Sequence, residues 1–102
     1  MPYSQSLFER IRDLLPHAPT KRMFGGIVFF ERGMMKVGVF GDAMMVRVGA
    51  EAFAATLAEP GVRPLAKKPE RMRGYVLVDE AYLGSDDEIE AWIQRVRLPA
   101  TP

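Results

Sequence analysis

The sequence contains no cysteine, a single histidine and a single tryptophan. Without thiols there is no disulfide framework, no thiolate metal site and no cysteine nucleophile, and a reducing compartment is permitted. His17 stands between Pro16 and Pro19 with no neighbouring side chain to complete a catalytic relay or a metal site. No apolar run approaches the roughly 18 residues of a membrane-spanning helix. The N-terminal stretch carries Glu9, Arg10, Arg12 and Asp13 where a secretory leader needs an unbroken apolar segment. A cytoplasmic protein, neither secreted nor inserted in a membrane, is therefore expected. An excess of one charge is also missing. With 14 basic and 13 acidic residues the net charge is +1, so a case for nucleic-acid binding has to come from local clustering.

What is present is an ordinary globular composition, 48% hydrophobic and 26% charged over 102 residues, which suits a single domain spanning 1–102. Leu7, Phe8, Ile11, Leu14 and Leu15 recur at helical spacing, and Ser6 with Glu9 reads as a capping box for a first helix over 6–15. Ala50 to Glu59 reads as a second helix, with Phe53 on its buried stripe and Pro60-Gly61 as its stop. Ser85-Asp86-Asp87-Glu88 is the clearest helix start, followed by Ile89, Trp92, Ile93 and Val96 as a buried stripe. Phe53 and Trp92 are expected to join the helices to the sheet.

Between the first two helices the pattern turns to strands broken by Gly33-Met34 and Gly41-Asp42, each suited to a two-residue hairpin turn. This register sets Glu31 against Lys36, Phe29 against Gly38 and Phe40 against Ala43. One face then carries Val28, Phe30, Met35, Val37, Val39, Met44, Val46 and Val48 and reads as the core. The opposite face carries Ile27, Phe29, Phe40 and Met45 beside the charged row Glu31, Lys36 and Arg47. An apolar patch edged by charge is the anatomy of a contact surface, so Ile27, Phe29, Phe40 and Met45 are candidate contacts for another protein or a second copy. The competing expectation is that a terminal segment such as 98–102 folds over them. Residues 74–79 read as one more strand. The predicted class is α+β with two layers, an antiparallel sheet with helices on one face, in the order α-β-β-β-α-β(β)-α.

Lys21-Arg22-Met23-Phe24-Gly25-Gly26 invites a phosphate-loop reading, but it lacks the spacing of such loops and is followed by a strand rather than a helix, so it reads as a turn. Met34-Met35 and Met44-Met45 are split across the two sheet faces, which favours core filling over metal ligation. The 63–73 segment holds the one basic cluster. Lys67, Lys68, Arg71 and Arg73, together with Lys21 and Arg22, are candidate anion contacts, although Glu70 interrupts the run and no aromatic interleaves it.

Arg22-Met23-Phe24-Gly25-Gly26, Met45-Val46-Arg47-Val48-Gly49 and Met72-Arg73-Gly74-Tyr75-Val76-Leu77-Val78, in that order, resemble the N-terminal domain of the TfoX/Sxy competence regulators over roughly residues 8–97. The resemblance implies a two-layer α+β fold, no enzymatic activity, no cofactor, and a link to transcriptional control of DNA uptake. Longer members add a C-terminal helical domain, to which nothing in these residues corresponds. The expected role is a non-enzymatic regulatory or protein-binding module. The alternative is a nucleic-acid-binding accessory domain using the 63–73 loop, with weak and salt-dependent binding.

Overall fold

The computed structural model describes residues 3–66 and 72–99. Helix α1 (Gln5–Leu14) leads into strands β1 (Thr20–Met23), β2 (Gly26–Glu31), β3 (Met34–Phe40) and β4 (Ala43–Arg47). Helix α2 (Ala50–Leu57), strands β5 (Val62–Pro64) and β6 (Tyr75–Asp79), a 3-10 turn (Glu80–Tyr82) and helix α3 (Asp86–Gln94) complete the order. The pairings between the six strands are all antiparallel, and the strands lie in the order β1-β2-β3-β4-β6-β5. The α+β class is as expected, with one strand more than the sequence suggested. Lys21-Arg22-Met23 forms β1 rather than a loop, paired residue for residue with β2 through Met23 opposite Gly26.

Helices α1 and α3 begin where a serine hydroxyl can accept from a free backbone N–H group. In α3 the Ser85 hydroxyl accepts from the Glu88 N–H while the Glu88 carboxylate accepts from the Ser85 N–H, the reciprocal box expected from the sequence. In α1 the cap is Ser4, whose hydroxyl accepts from Leu7 at 3.2 Å, so Ser6 and Glu9 do not form the expected box.

The register of β2 against β3 differs from the sequence expectation by one residue. The hairpin turns at Arg32-Gly33, with φ of 51° and 76°, rather than at Gly33-Met34. Glu31 then pairs with Met34, Phe30 with Met35 and Phe29 with Val37, leaving Lys36 as the extra residue of a β-bulge. Because side chains alternate with period two, that one-residue slip exchanges the faces of β2. Ile27 and Phe29 join the helix-covered core, and Val28 and Phe30 turn to the other side. The second hairpin turns at Gly41-Asp42 as expected, with Phe40 opposite Ala43 and Gly38 opposite Met45.

The main core is one cluster. Leu7 and Ile11 of α1, Phe53 of α2, and Ile89 and Ile93 of α3 close over Phe29, Val37, Val39, Met44, Val46, Val76 and Val78. All three helices therefore cover the same side of the sheet. Phe53 is buried as expected, whereas Trp92 is only half-buried, packing at the margin of the core with the Arg95 guanidinium 4.0 Å above its ring. Arg95 also reaches across to Glu59, just past α2, and donates to both carboxylate oxygens. That pairing ties the C-terminal ends of α2 and α3. Its hydrogen bonds hold the Glu59 carboxyl below the ordinary 4.5, more than offsetting the partial burial that pushes it up.

Two outcomes follow from this packing. Phe29→Ala should cost about 3–5 kcal/mol of folding stability, the loss for a fully buried aromatic, and Phe30→Ala distinctly less; urea denaturation decides, and the reverse ranking would mean that β2 presents its other face to the helices. For Glu59 the folded carboxyl is more acidic than the unfolded one. The pair's contribution is therefore complete above the ordinary value of 4.5 and disappears as pH falls through the lowered folded value. Both partners are well exposed, so the advantage of the parent over Glu59→Gln should be at most about 1 kcal/mol at neutral pH and should shrink in paired denaturation curves as pH falls below the ordinary 4.5.

Candidate functional site

The sheet face turned away from the helices is also apolar. Val28 of β2, Ala43 and Met45 of β4 and Leu77 of β6 are buried at its centre. Met23, Phe30, Met35, Phe40, Leu65 and Tyr75 ring them, each partly exposed. All of these residues lie on strands except Leu65, which directly follows β5, and no described helix residue belongs to this second cluster. The centre is shielded by its own neighbours. Phe40 lies down across the sheet over Gly26, where a Cβ would stand 2.5 Å from its ring and 2.4 Å from the Val39 carbonyl oxygen. Any side chain at position 26 would push the two strands apart, so a glycine is required there.

Charge borders this face on both sides. Following the register, Lys21, Val28, Gly38, Met45, Leu77 and Arg63 form one row across the sheet, with a cation at each end. Arg63 pairs with Asp79 at 3.2 Å. At the lower margin the Arg47 guanidinium sits 5.1 Å from the Tyr75 ring centroid and donates to the Tyr75 hydroxyl at 2.5 Å. Lys21 makes no ion pair among the described residues. The border is thus Lys21, Arg47 and Arg63 against Asp79.

Of the four candidate contact residues, Phe40 and Met45 lie on this face, Met45 fully covered and Phe40 partly exposed. Ile27 and Phe29 do not. At 7% and 0% exposure they belong to the core beneath the helices, a consequence of the bulge at Lys36. Phe30, Met35, Leu65, Tyr75 and Leu77 take their place. The expected row of Glu31, Lys36 and Arg47 is also broken. The bulge turns Lys36 to the helix side, where its ammonium donates to Glu31 at 2.8 Å beside the end of α3. That bond holds the Glu31 carboxyl below its ordinary value, and Lys36 no longer confronts Arg47. Leu98 and Pro99 lie beside Gly49 to Ala52, and Arg97 N–H donates to the Arg47 carbonyl, so of the expected 98–102 cover the part through Pro99 does not fold over the open face, and 100–102 lie outside the described residues.

The candidate anion contacts are scattered. Lys21 and Arg22 are exposed on edge strand β1, and Arg73 is exposed just before β6. Four strand spacings separate β1 from β6, roughly 19 Å, so these cations do not converge on one phosphate path. Lys67, Lys68 and Arg71 lie outside the described residues. Among the described residues there is no group of three or more histidine, aspartate or glutamate side chains placed to hold a metal ion, and no helix is long and apolar enough to cross a membrane.

Comparison with curated proteins and with solved structures finds no match. A family model does match, that of the TfoX N-terminal domain, over residues 10–97. The match takes in every strand and both later helices, the elements that build the two-sided sheet. The chain therefore belongs to the TfoX N-terminal domain family.

Proposed function

We propose that this domain is a non-enzymatic protein-binding module of the cytoplasm, acting in regulation of transcription as the competence regulators that share its family do. The observation that carries this reading is the second apolar cluster. A six-stranded sheet with helices on one side only leaves Phe30, Met35, Phe40, Leu65 and Tyr75 partly open on the other. Surfaces of this kind, apolar at the centre and charged at the margin, are where proteins dock. The dispersal of Lys21, Arg22 and Arg73 gives the nucleic-acid reading less support, because a phosphate backbone binds through several cations at once.

The residues that would anchor a partner are the large, partly exposed ones, Phe40 and Phe30, since aromatic side chains near the centre of an interface carry most of its energy. Phe30→Ser/Phe40→Ser should remain folded by far-UV circular dichroism and lose proteins that the parent captures from its native host. In the same host, transcripts of DNA-uptake genes should respond to the parent and not to the double variant. A folded double variant that keeps every partner and the transcript response would overturn the reading.

A further inference from the structure

Two large apolar side chains stand out as exposed among the described residues, Phe24 at 78% and Tyr82 at 50%. Both lie at the same end of the sheet. Strand alternation brings the β1–β2 turn, the β3–β4 turn and the exit of β6 to one edge, with Gly26, Phe40, Ala43 and Asp79 in the row beneath. Phe24 occupies the first position of its turn at φ 55°, followed by Gly25 at 79°. A bulky residue in that left-handed region is a backbone outlier, and asparagine, aspartate or glycine is the ordinary occupant. A Cβ at Gly25 would meet nothing within 4 Å, so the turn stands clear of the rest of the chain. Strain without an intramolecular contact to offset it points to an external use. Beside Phe24 stand Lys21 and Arg22, exposed and without an ion pair among the described residues.

The other half of the same edge is the complement. Asp42, Asp79, Glu80, Ala81 and Tyr82 line a shallow cleft of about 550 Å³. The Tyr82 ring rests on Gly61, 2.2 Å from where a Cβ would stand, and is therefore held in place. Asp42 makes no ion pair among the described residues; Asp79 pairs with Arg63, and Glu80 accepts from the Ser6 hydroxyl at 3.4 Å. Three carboxylates against one guanidinium leave the cleft acidic. β2 and β6 stand three strand spacings apart, roughly 14 Å, so the basic aromatic tip and the acidic aromatic cleft lie side by side on one surface.

We propose that this edge is a self-association surface, with the Phe24 tip of one copy seated against the Tyr82 cleft of a second copy and Lys21 and Arg22 facing its Asp42 and Glu80. A two-fold axis makes the contact reciprocal, because a residue pair formed once in such a dimer is formed twice. A polyanion fits this edge less well. The carboxylates at the β3–β4 turn and the exit of β6, three to four strands along from Lys21 and Arg22, would repel it. The surface shares Lys21 and Asp79 with the margin of the open sheet face but none of the apolar residues of its second cluster, and self-association through it does not depend on that face binding a partner.

Sedimentation velocity across the micromolar to millimolar range tests the proposal. The parent should pass from monomer to dimer with concentration, and added salt should shift the midpoint upward. Lys21→Glu/Arg22→Glu and Asp42→Lys/Glu80→Lys should each remain monomeric, while an equimolar mixture of the two recovers a dimer. Phe24→Asn suits the positive φ better, so it should unfold no earlier than the parent on heating yet weaken the dimer by about tenfold or more. A parent that is monomeric throughout, a mixture that recovers nothing, or a Phe24→Asn dimer as tight as the parent's overturns the proposal. So does a dimer abolished by Phe30→Ser/Phe40→Ser and untouched by Phe24→Asn, which would move self-association to the open face.

Discussion

The pairing of β2 with β3 is the constraint on which the rest of the domain depends. With Phe29 opposite Val37 and Lys36 left over as a bulge, Ile27 and Phe29 pass beneath the helices, and Phe29 becomes a large, fully buried side chain at the centre of the main core. Its ring stands 5.6 Å from that of Phe8 on α1, which meets Tyr3 edge-on at 6.1 Å, so the first helix is seated on the sheet through an aromatic chain that begins at this residue. The same bulge carries Lys36 to Glu31 on the helix side. One inserted residue thus sets the core, the seat of α1 and the charge pattern at the end of α3.

The sheet has two apolar sides and only one layer of helices. Burial of roughly 25 cal/mol per Å² favours covering both, and three short helices can cover only one. The second side is closed in part by its own side chains, with Phe40 lying flat over Gly26 and Met45 packed among Val28, Ala43 and Leu77. What remains open is a band of partly exposed aromatics and methionines bordered by Lys21, Arg47 and Arg63. Methionine and aromatic side chains are adaptable or large contact groups, and both kinds are enriched where proteins meet.

The two X-Gly turns of the first three strands show different uses of the same backbone. Arg32 and Phe24 each hold positive φ ahead of a glycine. These turns twist with the strands they join, which is why non-glycine residues are tolerated at a cost of roughly 1–2 kcal/mol each. Arg32 lies beside Glu31 and Lys36 at the helix-side cleft. Phe24 has no such surroundings and points its ring into solvent, at the edge that also carries Tyr82.

The start of α3, the β3–β4 hairpin and the α+β class were legible in the sequence because each rests on local chemistry: Ser85 three residues before Glu88, a glycine at the first position of a turn, apolar residues at a fixed period; the same serine–glutamate spacing at Ser6 and Glu9 misplaced the cap of α1, which is Ser4. The family was legible from three short motifs along the chain. The face of β2 was not. Ile27-Val28-Phe29-Phe30 is apolar at every position, so alternation does not distinguish inside from outside, and a positive φ at Arg32 is disfavoured by its side chain alone. The choice was made by packing, since setting Phe29 under α1 buries a larger surface than any local turn preference resists. The candidate contact residues followed that choice: Phe40 and Met45 lie on β3 and β4, whose register the turn determines locally, while Ile27 and Phe29 exchanged places with Val28 and Phe30 through a bulge that only the assembled sheet and helices select.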